Sequence, residues 1–168
     1  MHAGVTLSRN PAPYSIPAMV WKPHVTVAAI ACVRDTFLLV EEEVGGRLVL
    51  NQPAGHLEPG ESLAEAAVRE TREEAAWDFH PRAIVGVYRW PGQDPDATYL
   101  RVCFCGEVDG HDPEQPLDDG IQRTLWERPE ALRHQADRLR SPLVTAAIDD
   151  YLRGQRYPLD LIRDIIAP

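Results

Sequence analysis

The stretch from Gly55 to Trp77, GHLEPGESLAEAAVRETREEAAW, constrains this chain more than any other, because a helix start and an acidic cluster share one register there. Pro59-Gly60 signals a turn. Ser62 with Glu65 three residues on makes a capping box, in which hydroxyl and carboxylate each take an orphan amide of a first helical turn. A helix is therefore predicted from Leu63, and the run of alanine, glutamate and arginine supports it, with no proline until Pro81. At about 100° per residue, Glu70, Glu73 and Glu74 fall in one narrow arc that Leu63, Ala66 and Ala67 continue, while Arg72 points away. Glutamates at i, i+4 repel by roughly 0.2–0.5 kcal/mol even on an exposed helix, so the cluster asks for a compensating charge. A bound divalent cation supplies one; a solvated face with Arg69 beside Glu73 is the plainer alternative.

Glycine at 55, glutamate at 61, Arg69-Glu70 and Glu73-Glu74 stand in register with the Nudix box, G-x5-E-x7-R-E-U-x-E-E-x-G-U with U aliphatic, and the segment resembles that family. Two positions depart from the pattern: Thr71 replaces an aliphatic residue, and Ala76, followed by Trp77, replaces the second glycine. These put local packing and the helix exit in question more than the chemistry. A left-handed Ala76 would cost about 1–2 kcal/mol, so the helix is expected to run on to about Asp78 before His80-Pro81 stops it. The resemblance implies Mg²⁺, or Mn²⁺ in its place, held by Glu70, Glu73 and Glu74 with the Gly55 carbonyl, and Glu61 and Arg69 bracing loop and helix. Glu73 and Glu74 are the first choices as ligands; Glu70 is a third ligand or the base that orients water. Family enzymes often add an acid from a later loop, for which Asp118 is the candidate, its alternative being a turn residue.

Asn51 to Glu58, NQPAGHLE, and Arg140 to Leu159, RSPLVTAAIDDYLRGQRYPL, are similar to the NudJ-type subfamily of Nudix phosphatases, and the likeness runs from about residue 22 to 163. It implies hydrolysis of phosphoanhydrides in nucleoside di- and triphosphates and in the thiamine-pathway pyrimidine diphosphate, with inorganic phosphate released. Two alternatives stay open: a Nudix scaffold that binds a ligand without turnover, and a pyrophosphohydrolase for another nucleoside diphosphate derivative. Gln52, His56 and Arg69 are candidates for substrate binding; His56 can equally order the loop. His24 is a further cleft candidate. Arg89 or Arg101 can grip a terminal phosphate, and Trp90 or Tyr99 can stack on a base or serve as ordinary packing. Arg156 and Tyr157 either touch substrate or pack the tail. Trp21, Trp77 and Trp126 read as packing.

A net charge of −9 argues against broad nucleic-acid or anionic-membrane binding, but not against a phosphorylated small substrate, since metal ions and local arginines can invert the field in a cleft. No apolar run approaches the roughly 18 to 20 residues of a membrane span, and a cytoplasmic location is expected. The composition does not indicate an oligomeric state. Three cysteines, with Cys103 and Cys105 alternating on one strand and Cys32 on another, read as reduced and buried.

At 168 residues the chain suits a single Nudix domain over 19–168, preceded by an aperiodic, proline-bearing arm over 1–18. Strands are predicted at 25–33, 37–41, 48–50, 83–90, 98–108 and 123–126, with helices after the box at 129–135 and 142–153. Strands on both sides of a central helix indicate an α/β fold. The resemblance implies its particular form, an α/β/α sandwich around a mixed sheet.

Overall fold

The computed structural model describes residues 21–92 and 97–165, so the expected arm over 1–18 lies outside the described residues. Its strands are β1 (His24–Val33), β2 (Thr36–Val44), β3 (Arg47–Asn51), β4 (Ala54–His56), β5 (Asp78–Trp90), β6 (Tyr99–Asp109) and β7 (Ile121–Glu127). Helix α1 (Leu63–Ala75) follows β4, and α2 (Pro129–His134) and α3 (Leu143–Leu152) follow β7. The strands form one seven-stranded sheet in the order β3-β2-β1-β6-β5, with β4 added beside β1 and β7 beside β2. Only β1 and β6 among these pairs run parallel, Thr26 opposite Arg101 and Ala28 opposite Cys103, so the sheet is mixed.

Strand β1 shows why its sequence is continuously apolar. Successive side chains alternate between faces, and both faces are covered. Val27 and Ala29 pack with Ala66 and Ala67 of α1, whereas Ala28 and Ile30 pack with Val144, Ala147 and Ile148 of α3. This gives the α/β/α layering. Small side chains on β1 and α1 let the box helix lie close to the sheet. Strand β1 also divides its pairing along its length: Thr26–Ala28 face β4, and Cys32–Val33 face β2. The two partners diverge, and the site opens where they part.

The structure corrects the expected helix exit. Helix α1 ends at Ala75, and Ala76 is left-handed at φ 56°, ψ 30°, its N–H donating to the Arg72 carbonyl. Strand β5 begins at Asp78, five residues before its expected start, so the chain must reverse within two residues and cannot extend the helix. The carbonyl of the buried Ala76 also accepts from the Asp112 N–H. Pro81 is tolerated inside β5 because β5 is an edge strand and its pairing with β6 shifts register between Pro81 and Ala83. Strand β4, too short to show a period, was not anticipated. Trp77 and Trp126 pack edge to face, as expected, but Trp21 is 64% exposed ahead of β1.

At the C-terminus, Tyr157 exchanges two backbone hydrogen bonds with Ile84 of β5, and the Arg156 guanidinium lies over the Tyr151 ring. Those residues therefore pack the tail. All three cysteines are free, with Cys103 and Cys105 buried. No helix among the described residues is long and apolar enough to cross a membrane.

Candidate active site

The loop into α1 is built by its own polar groups. Ser62 Oγ accepts from the Glu65 N–H at 3.2 Å while Glu65 Oε2 accepts from the Ser62 N–H at 2.7 Å, completing the capping box. Glu61 accepts from the Glu58 N–H and takes a two-pronged grip from Arg69, Nη2 to Oε1 at 2.8 Å and Nε to Oε2 at 3.0 Å. That guanidinium first of all holds the Glu61 carboxyl below the usual carboxylate range, against the effect of burial.

Arg69 also donates to the His56 carbonyl, to Glu70 Oε1 and to Glu73 Oε2, the last two at 2.8 and 2.9 Å. A guanidinium has five N–H donors, and these contacts engage all five. Arg69 thus joins the loop to the helix, with every donor engaged within the protein as the carboxylates stand, and it lines the cleft. Gln52 is corrected: it is 1% exposed, and its Nε2 donates to the Val144 carbonyl of α3, away from the cleft.

The three box glutamates sit in different settings. Glu70 presses its carboxylate against Gly55 so closely that a Cβ there would meet it at 2.1–2.3 Å. Glu74 Oε2 accepts from the Ala54 N–H at 2.8 Å, which ties α1 to β4. Glu73 is the most open, with 40% of its side chain exposed. Burial pushes the Glu74 carboxyl up to about 8, the Ala54 N–H opposes this, and Glu70, Glu42 and Asp118 add to the rise. Burial likewise raises Glu70, opposed by Arg69 and reinforced by Glu73 and Asp118.

Asp118 is a turn residue that also lines the cleft. Its carbonyl accepts from the Ile121 N–H in a turn, its N–H donates to the Glu73 carbonyl, and its side chain faces the same cleft. That cleft, of about 430 Å³, is also lined by Glu42, Asn51, His56, Tyr99, Arg101 and Arg140. His56 meets His24 edge to face, and His24 and Trp90 each stack on Tyr99. Burial, followed by His24 and Arg101, lowers the His56 pKa. Arg89 is exposed on β5 outside the cleft lining.

Sequence reasoning missed Glu42, Asn51 and Arg140. Glu42 enters the cleft because neighbouring residues of a strand point to opposite faces, which sends the carboxylates of Glu41 and Glu42 to different partners. Glu41 pairs with Arg123 and Arg138, whereas Glu42 Oε1 lies 3.4 Å from Arg140 Nε. Three consecutive glutamates at a strand end were the available signal. A larger hollow, about 850 Å³, adjoins the cleft through Arg140, but there Arg133 is paired with Asp149 and Arg47 with the Asp137 carbonyl.

Among the described residues, no three His, Cys, Asp or Glu side chains converge as they stand on one ligation point. Glu70 and Glu73 are turned onto Arg69, and Glu74 onto the Ala54 amide. The donor chemistry nevertheless fits a hard divalent cation, since Glu70, Glu73, Glu74 and Asp118 offer only oxygen, and burial together with neighbouring carboxylates raises the cost of ionising Glu70, Glu74 and Asp118. The glycine at 55 leaves the space that Glu70 fills.

A mixed sheet between helices, with this loop and helix set against its cleft, defines a class of hydrolase. Residues 22–147 match the NUDIX domain, and the chain belongs to the Nudix hydrolase family. Over 149 residues it is 44% identical to phosphatase NudJ of Escherichia coli, spanning 88% of this chain and 95% of that one. The NUDIX hydrolase from Nitrosomonas europaea superposes with a TM-score of 0.83 at 46% identity, covering 86% of this chain and 98% of its own. The MutT NUDIX hydrolase from Burkholderia pseudomallei, at 16% identity and a TM-score of 0.62 over 77% of this chain and 98% of its own, shares the fold. The chain is therefore an enzyme of a family that is generally divalent-metal dependent and acts on small-molecule substrates.

Proposed function

We propose that this hydrolase cleaves phosphoanhydrides in nucleoside di- and triphosphates and in the pyrimidine diphosphate of thiamine synthesis, releasing inorganic phosphate, with Mg²⁺ as cofactor and Mn²⁺ able to replace it. The observation that carries the reading is the cleft itself: box carboxylates and Asp118 share one cavity with the cationic side chains Arg101 and Arg140. The similarity to a phosphatase over nearly its whole length supports the same reaction class.

Phosphoanhydride cleavage needs charge neutralised on the phosphate oxygens and a water aligned with the leaving group. Glu73, Glu74 and the Gly55 carbonyl would hold the cation, with Glu70 as a further ligand or the base toward water and Asp118 as an additional acid. When bound, Mg²⁺ would supply Lewis-acid neutralisation of the phosphate. Arg69 and Glu61 hold the loop against the helix, which fixes the backbone that carries the carboxylates relative to Gly55. His56 and Tyr99 stand at the wall of the cleft, where the group beyond the phosphates would pass.

The test is product analysis. Purified protein is incubated in ¹⁸O-labelled water with nucleoside di- and triphosphates and the pyrimidine diphosphate, with and without Mg²⁺, and both products are identified by mass spectrometry. Free phosphate from the diphosphates, dependent on metal, is the expected result. Pyrophosphate as sole product from triphosphates, with no reaction of any diphosphate, would replace this reading with that of a pyrophosphohydrolase. Ligand binding without turnover of any substrate would point to a non-catalytic scaffold.

A further inference from the structure

Arg101 is in an unusual position for an arginine. It lies on β6, opposite Thr26 of β1 in the parallel pair, in the interior of the sheet, and only 8% of it is exposed. A buried guanidinium is normally satisfied by a carboxylate fork. Among the described residues Arg101 has no carboxylate within ion-pair distance. Its two hydrogen bonds are long ones to neutral oxygens, Nε to Thr26 Oγ1 at 3.4 Å and Nη1 to Asn51 Oδ1 at 3.5 Å.

The same side chain lines the cleft that holds Glu70, Glu73 and Glu74, and Arg140 lines it too. Glu42 stands near both arginines: its Oε1 is 3.4 Å from Arg140 Nε, beyond a good hydrogen bond, and that oxygen has no hydrogen-bond partner among the described residues. One end of the cavity thus carries carboxylates suited to a cation, and another carries guanidinium donors that the protein leaves largely unused. Burial pushes the Arg101 pKa down, so its charge is costly there and an anion would offset that cost.

We propose that Arg101 is the residue that holds the terminal phosphate of the substrate, with Arg140 beside it and with Thr26 and Asn51 orienting its guanidinium. This rests on the proposed phosphoanhydride hydrolysis and deepens it. The buried fork selects a doubly charged, unsubstituted phosphate end, since an ester on that phosphate would remove charge and crowd the pocket. The substrate class is accordingly one with a free terminal phosphate, such as a nucleoside diphosphate, and a diphosphate capped at both ends binds poorly.

The experiment compares wild type with Arg101→Lys and Arg101→Met, using ADP, a dinucleoside diphosphate capped at both ends, and pyrophosphate as probes. In steady-state assays the KM for ADP is expected to rise at least about tenfold in Arg101→Met with kcat changed much less, the pattern of lost ground-state binding. Arg101→Lys, which keeps the charge but not the fork, should fall between. The preference of wild type for ADP over the capped diphosphate should shrink in both variants. Metal-free calorimetric titration with pyrophosphate should show the same loss of affinity in Arg101→Met. For a readout that needs no variant to fold, the ¹⁵N signal of the Arg101 Nε–H in wild type should move when pyrophosphate is added to metal-free protein. An unmoved signal, or unchanged ADP and pyrophosphate parameters in folded variants of an active enzyme, would overturn the inference and leave the proposed reaction standing. An inert wild type that still binds pyrophosphate through Arg101 would overturn the reaction and leave the anion site standing.

Discussion

Gly55 sets the tightest steric condition in the site. An added methyl would meet the Glu70 carboxylate at 2.1–2.3 Å, and the atoms in the way are the end of a flexible side chain. Gly55→Ala is therefore expected to displace Glu70, lower turnover by at least about tenfold and leave thermal unfolding within a few degrees of wild type; a variant as active as wild type would show that Glu70 need not lie against this backbone. For the ligands, Glu73→Gln or Glu74→Gln keeps shape but removes charge. Turnover should fall by about two orders of magnitude or more with the circular dichroism spectrum unchanged. Full activity in both would end the metal-ligand assignment. The grouping of Glu73 and Glu74 on one helix was legible in the sequence because their spacing is local. The settings of Gln52 and Arg69 were not, because their partners are the Val144 carbonyl, 92 residues from Gln52, and a bracing network that reaches back to Glu61 and the His56 carbonyl.

Short-range chemistry governs which elements were legible. The start of α1 is written in Ser62 and Glu65, and it appears where the capping box puts it. Strand β4 has three residues and exists by pairing with β1, so no periodicity announces it. The arginine that Glu41 meets lies 82 residues on, in β7, and Arg101 is buried by a parallel neighbour 75 residues away. Two elements carry predictions of their own. The β1–β2 hairpin turns on Arg34 and Asp35, both exposed at positive φ of 50° and 63°, where a two-residue loop favours Asn-Gly. The double variant Arg34→Asn, Asp35→Gly should stabilise the protein by about 1 kcal/mol in urea unfolding; an equal or lower midpoint would show that these residues are not strained.

Glu41 joins β2 to Arg123 of β7 and to Arg138 of the 3-10 turn Ala136–Arg138, and hydrogen bonding to Arg123 first of all lowers its carboxyl pKa against burial. A lowered folded-state pKa means that its contribution is complete above the unfolded value of about 4.3 and fades as pH falls through the folded value. Glu41→Gln should therefore cost about 1–3 kcal/mol at pH 7, and the gap to wild type should close in acid below pH ~4. A gap that stays constant from pH 7 to pH 3 would show that charge at Glu41 contributes nothing.

On the scale of the whole molecule, the sheet is complete from His24 onward, and both covering layers come from residues after it. Removal of residues 1–18 is expected to leave melting temperature and turnover unchanged within error, because that segment has little apolar sequence to bury. A melting temperature lowered by several degrees would mean that the segment docks on the domain or on another copy.

Strand β1 also sets when such a chain can fold. It is the first strand to be synthesised among the described residues, yet its parallel partner β6 ends at Asp109 and its α3 covering arrives only with Leu143–Leu152. Contacts across so long a separation close slowly. While the ribosome is still making the second half, the apolar segment from Val27 to Ile30 has no neighbour on its β6 side and no roof on its α3 side. The nascent chain is thus exposed to misassociation until nearly the whole sequence has emerged, and a chaperone that shields extended apolar segments would act on this strand before any other.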